Sequence, residues 1–116
     1  MSLKIETVFI SISARNFAAQ TAWWTTLLDR KHDRKPMPSC REWDLAKGVL
    51  FQVLDQPDGP STAVSLRLKK LDKQVRRLRK AGVRVPEPAP VTGFKSLRWA
   101  AFNDPEGNPV NLLEGK

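Results

Sequence analysis

The sequence predicts an α+β fold: two βαβββ modules whose curved mixed sheets enclose a cavity, with the helices on the outer face. Three observations carry this. Two short alternating stretches, 8–14 and 63–69, are each followed by a helical pattern. About three strand-like runs come after each helix. The two halves also match at an offset of 54 residues, with Phe9 on Ala63, Ser11 on Ser65, Phe17 on Leu71 and Trp24 on Leu78. Such self-similarity marks an internal repeat.

The elements follow in order. In "VFISISA" (8–14), Phe9, Ser11 and Ser13 point one way and Ile10, Ile12 and Ala14 the other, as in a strand with one face in a core. In "RNFAAQTAWWTTLLD", Phe17, Ala18, Thr21, Trp24 and Leu28 recur at helical spacing, and Asn16 is the expected N-cap. Residues 31–36 are polar and read as a strand, "MPSCRE" as a loop, and "WDLAKG" as a short strand and turn. "VLFQVLD" (49–55) is a strong strand, and "QPDGPS" a turn. The second half begins with "AVSLRLK", where Ala63, Ser65 and Arg67 share one face and Val64, Leu66 and Leu68 the other. "KLDKQVRRLRKAGV" is a helix with Leu71, Val75 and Leu78 inward, ended by Gly82. "VRVPEPAPVTGFKS" reads as a proline-rich extended loop. "LRWAAF" and "VNLLE" are strands flanking the turn Asp104-Pro105-Glu106-Gly107-Asn108.

Length and composition bound the function. A chain of 116 residues fits one domain, here spanning 1–116 with repeats at about 5–57 and 61–115. No apolar run approaches the ~20 residues needed to cross a bilayer, so no membrane association is expected. "MSLKIETVFISIS" lacks a signal peptide's continuous apolar region, and Cys40 is the single cysteine, which precludes an internal disulfide. The expected compartment is the reducing cytoplasm. A net charge of +8 attracts anions and repels cations. There is no Ser-His-Asp set, glycine-rich phosphate loop or Cys-x-x-Cys. Glu6, Glu42 and Asp44 are available for proton transfer, but nothing pairs them.

The order and spacing of these motifs resemble the vicinal oxygen chelate superfamily, the glyoxalase/bleomycin-resistance/dioxygenase group. "FNDPEGNPVNLLE" is similar to that group's "DPDGNxxEL" ending. "ARNFAAQTAWWTTLLD" is similar to its first helix, with Trp23-Trp24 in place of the aromatic pair and Asp29 in place of a glycine. The resemblance covers nearly the whole chain and is greatest to the small glyoxalase-like domain proteins. It implies a homodimer and, in metal-dependent members, a divalent ion held by two histidines and two glutamates. Those positions carry over to Phe9, Gln52, Ala63 and Asn111. Phe9 and Ala63 have no ligand atom, and two neutral amides suit only weak binding of hard cations. The expectation is therefore no metal and no cofactor.

Strand parity places Phe9, Ser11 and Ser13 on the cavity face, with Leu50, Gln52 and Leu54 from the next strong strand. Ala63, Ser65, Arg67 and Asn111 face it from the second half, and Trp43 and Trp99 lie on or near strands beside it, where either indole can stack on a planar ligand, core packing being the ordinary explanation. Gln52 and Asn111 either contact ligand or hydrogen-bond each other across the vacated metal position. A mixed surface of this kind suits a small organic ligand, anionic or planar, with Arg67 pairing a carboxylate or phosphate. Bleomycin itself is disfavoured, because that drug is cationic. The alternatives are a lyase or isomerase of the same superfamily with an atypical or metal-free site, and a basic-surface binder of nucleic acid or an acidic partner. An enzyme here would be a glyoxalase-like lyase, not a standard metal-dependent glyoxalase I. The third reading rests on residues 69–84, where eight cations face one acid, Asp72. A solvated helix face is its ordinary explanation.

Overall fold

The computed structural model describes residues 3–116. The chain forms two compact units, Met1–Thr62 and Ala63–Lys116.

The first unit runs β1 (Val8–Ala14), α1 (Phe17–Leu28), β2 (Arg34–Met37), β3 (Cys40–Ala46) and β4 (Val49–Asp55). Its sheet has the order β1-β4-β3-β2. β1 pairs parallel with β4, while β4–β3 and β3–β2 are antiparallel. A parallel pair needs a crossover, and α1 lies in the one that joins β1 to the rest. The second unit repeats the plan with β5 (Val64–Arg67), α2 (Leu71–Lys80), β6 (Ala89–Pro90), β7 (Arg98–Asn103) and β8 (Pro109–Glu114). Its order is β5-β8-β7-β6, again with the first strand parallel to the last. The repeat visible in the sequence is thus a repeat of topology: α1 and α2 start at Phe17 and Leu71.

Alternation decides which side of each sheet is apolar. In the first unit Ile12, Ala14, Trp43, Phe51 and Val53 are buried together with Trp24 and Leu27 of α1. Asn16 caps α1, its Oδ1 accepting from the Ala19 N–H at 3.1 Å. The helix is phased differently from the spacing expected for it. Gln20, Trp24 and Leu27 are buried, whereas Ala18 is exposed. Alanine and threonine occur on every side of α1, so only tryptophan and leucine fix its rotation. In the second unit Val64, Ala100, Val110 and Leu112 are buried with Leu71, Val75 and Leu78 of α2, the phase expected.

The loop expected over "MPSCRE" is instead a tight hairpin. Met37 ends β2, Cys40 begins β3, and the two residues pair across a turn at Pro38-Ser39. Cys40 is buried, and burial pushes its thiol above the ordinary value, with the Glu42 carboxylate adding to the effect. A reactive thiolate is disfavoured there. The proline-rich run contributes Ala89–Pro90 as a two-residue strand against β7. Among the described residues no helix is long and apolar enough to cross a membrane.

Candidate functional site

Each sheet has one side facing its helix and one open side. The nine residues expected at the site lie on the open sides, in two groups. Phe9, Ser11, Ser13 and Gln52 are in the first unit, and Ala63, Ser65, Arg67, Trp99 and Asn111 in the second.

In the first sheet, the register lines up Ser11, Gln52, Glu42 and Arg34 from one edge to the other. Their side chains form a chain of hydrogen bonds. Ser11 Oγ donates to Gln52 Oε1 at 2.9 Å, and Gln52 Nε2 donates to Glu42 Oε2 at 2.7 Å. Arg34 Nε donates to Glu42 Oε1 at 2.8 Å, while its two terminal nitrogens fork onto the Asp44 carboxylate. The fork and Glu42 raise the Arg34 pKa, and Arg34 in turn holds the Asp44 carboxyl below its usual range. Around this row stand Phe9, more than half exposed, and the half-buried Leu50 and Leu54. Ser13 Oγ donates to Gln56 Oε1 at 3.0 Å. Gly59 closes over that serine so tightly that a Cβ there would lie 2.0 Å from Ser13 Oγ.

Glu42, like Asp44, is an acid that sequence reasoning left unpaired. It is 7% exposed and holds two partners. Glu42→Ala is expected to destabilise the fold by about 1–3 kcal/mol, because two donors lose their acceptor. The half-exposed Arg34 contributes the smaller share, since water can replace its partner. Glu42→Gln, which still accepts one bond, should lose less. Urea denaturation is the measurement, and an unchanged midpoint in the alanine variant would show that the row is incidental.

In the second sheet, β8 lies between β5 and β7, and the open side reads as two rows. Arg67, Leu113 and Trp99 form one; Ser65, Asn111 and Ala101 form the next. Asn111 Nδ2 donates to Ser65 Oγ at 3.1 Å. Trp99 is 39% exposed, and Arg67, Ser65 and Ala63 are exposed. Trp43, the other candidate for stacking on a ligand, is buried in the first core, with its indole N–H donating to the Arg30 carbonyl at 2.9 Å. His32 stands edge-on to Trp43, and partial burial together with neighbouring cations keeps its pKa below the usual value.

The donor chemistry does not fit a resident divalent ion. Phe9 and Ala63 offer no donor atom. Gln52 is engaged by Ser11 and Glu42, and Asn111 by Ser65, so each amide has partners within its own sheet. Among the described residues no group of three or more His, Cys, Asp or Glu side chains is placed to hold a metal.

The comparisons with known proteins agree with this architecture. The glyoxalase-like domain family matches the chain over residues 8–113. The chain belongs to that family. No curated protein sequence matches this glyoxalase-like domain. Among solved structures, a glyoxalase/bleomycin resistance protein from Catenulispora acidiphila is 22% identical with a TM-score of 0.82, over 95% of this chain and 98% of that one. TnmS3, an antibiotic-binding protein from Streptomyces, is 18% identical with a TM-score of 0.77, over 100% and 99% of the two chains. A lactoylglutathione lyase from Agrobacterium tumefaciens is 12% identical with a TM-score of 0.74, over 99% and 95%. At these identities the likeness is one of fold.

Proposed function

We propose that this glyoxalase-like domain binds a small organic molecule with a planar body and an anionic group, without a metal ion, on the open face of its second sheet. The observation that carries the reading is the row Arg67–Leu113–Trp99. Neighbouring strands are about 4.8 Å apart, so β5 and β7 are separated by roughly 10 Å, the span of an aromatic acid. A planar body lies over Leu113 and Trp99, and its carboxylate meets the Arg67 guanidinium in a two-pronged bond. Ser65 and Asn111, one row away, supply hydrogen bonds that fix orientation. Phe9, Ser11, Ser13 and Gln52 are proposed as a ligand-facing surface of the first sheet. The reading keeps the homodimer that the family resemblance implies. A solved relative that binds an antibiotic supports small-molecule binding at the level of the superfamily.

The test is a thermal-shift screen of aromatic carboxylates against their neutral amides and matched amines. It is run at about 0.3 M salt, where surface attraction is screened. Carboxylates should raise the melting temperature and the amines should not. The effect should vanish in Arg67→Ala, weaken in Trp99→Ala and persist in EDTA. Hits that survive Arg67→Ala unchanged would reduce Arg67 to a solvated rim residue. A requirement for added divalent ion would overturn the metal-free reading.

A further inference from the structure

We propose that the solvent face of α2 binds the phosphate backbone of nucleic acid without regard to sequence. The charge of this protein is concentrated in one place. Residues 69–84 hold eight cations and one acid, a local charge of +7, while the other 100 residues hold twelve cations and eleven acids and sum to +1. Leu71, Val75 and Leu78 take the buried side of α2. The opposite side carries Lys73, Arg76 and Lys80 at three- and four-residue spacing, a line about 10 Å long.

Internal partners occupy the one acid of the helix and one cation beside this line, and leave the line itself charged. Asp72, the one acid of α2, is held by Arg98 at 2.9 Å, which keeps its carboxyl below the usual range. Arg79 donates to the Val85 carbonyl at 3.0 Å and to Glu87 at 3.3 Å. Lys73 and Lys80 make no ion pair among the described residues, and Arg76 meets Asp72 only through space, with no salt bridge between them.

Arg77, Arg79 and Lys80 in the last turn suit the helix dipole, but the cations at the other end do not. Lys70 occupies the N-cap without making a capping bond. It and Lys69 sit at the positive end of the helix dipole, and the cations of the exposed line repel one another. The uncapped, cationic N-terminus is the local feature that the fold alone does not call for.

The chemistry of the face selects the partner. Every apolar residue of α2 is turned inward, so the face has nothing to insert into a bilayer and no apolar centre for a protein interface. A regularly spaced polyanion needs neither. Guanidinium groups suit phosphate oxygens, and an open groove beyond the helix, floored by Val83 and Val85, has Arg84 on its lining. No aromatic or amide side chain on the line is placed to read a base, since Gln74 is bonded to Arg77.

The experiment is fluorescence anisotropy of the full chain with a labelled duplex DNA and a single-stranded RNA of arbitrary sequence. Neutralising three to four phosphates predicts a fall in affinity between 50 and 200 mM salt of about 40- to 150-fold for the duplex and about 20- to 50-fold for the single strand, equally for unrelated sequences. Lys73→Glu/Arg76→Glu should weaken binding at least about tenfold and lower the salt slope by about two. The change at Lys73 falls in the first turn, where an acid favours the dipole, and that at Arg76 falls in mid-helix; retention of the fold in the double variant is checked by circular dichroism. Lys31→Glu/Lys35→Glu makes the same change in net charge on the first unit and should leave the slope nearly intact. Equal losses in the two variants would show that net charge alone attracts the polyanion. No binding at 50 mM salt would end the proposal. So would tighter binding to phosphatidylserine vesicles than to either nucleic acid, lost in the α2 variant.

Discussion

Replacing Trp24 with alanine is expected to destabilise the protein by about 3–5 kcal/mol. The indole is fully buried, tilts against Phe51 with ring centroids 4.5 Å apart, and meets Trp23 edge-on at 5.2 Å. Phe51 in turn touches Trp43 at 5.7 Å, so three large rings lock α1 to the centre of the first sheet. A core this dense cannot collapse into the space left by an indole, because β4 is hydrogen-bonded on both edges, to β1 and β3. Domains of this size have only about 5–15 kcal/mol of stability, so the substitution removes a large share. Urea denaturation followed by circular dichroism measures it, and a loss under about 1 kcal/mol would show that α1 is not anchored by this residue. The Trp99→Ala variant is the contrast. Its ring is partly in water on the open side of β7, and its stability should change little while ligand affinity falls.

Both tryptophans were visible in the sequence, but only one could be placed from it. Trp24 lies at helical spacing in a pattern that tolerates some error in phase, and it is buried under either phase. Trp43 and Trp99 sit on strands, where a shift of one residue reverses the face. The strong strands leave no such doubt: Leu50, Gln52 and Leu54 on one side of β4 and Phe51 and Val53 on the other follow from simple alternation. Glu42 was hidden for a local reason. Pro38-Ser39 reads as the middle of a loop, yet it closes a hairpin whose second strand begins at Cys40. Once Trp43 is known to face the core, Glu42 must lie on the open side beside Gln52. That step needs the register with β4, which no local pattern supplies. The charge of α2 was legible as a run. That Arg98 occupies its one acid and Glu87 one of its cations, from positions distant in sequence or beyond the helix, was not.

The turn that signals the family in the sequence has a structural explanation, and Asp104→Ala tests it with an expected loss of about 2–4 kcal/mol. Asp104 is 4% exposed. Its Oδ1 accepts from the Glu106 N–H at 2.9 Å and the Asn108 N–H at 3.0 Å, and its Oδ2 accepts from Asn108 Nδ2 at 2.8 Å. Asn108 is itself 2% exposed, so water cannot readily replace the carboxylate there. The main chain closes the same loop, with the Asp104 N–H donating to the Asn108 carbonyl at 3.0 Å. Gly107 permits the tight path by adopting φ of +86°, where a side chain would be strained. These bonds place Asn103 opposite Pro109 and so set the β7–β8 register, which brings Ala101 opposite Asn111 and Trp99 opposite Leu113. A loosened turn should therefore weaken the proposed ligand face as well as the fold. Asp104→Asn keeps an acceptor for one or two of the three donors and should recover part of the loss. Chemical denaturation of the two variants, paired with the carboxylate screen, separates the outcomes. A full-strength thermal-shift response in an Asp104→Ala protein of unchanged stability would show that the turn neither holds the hairpin nor positions Trp99.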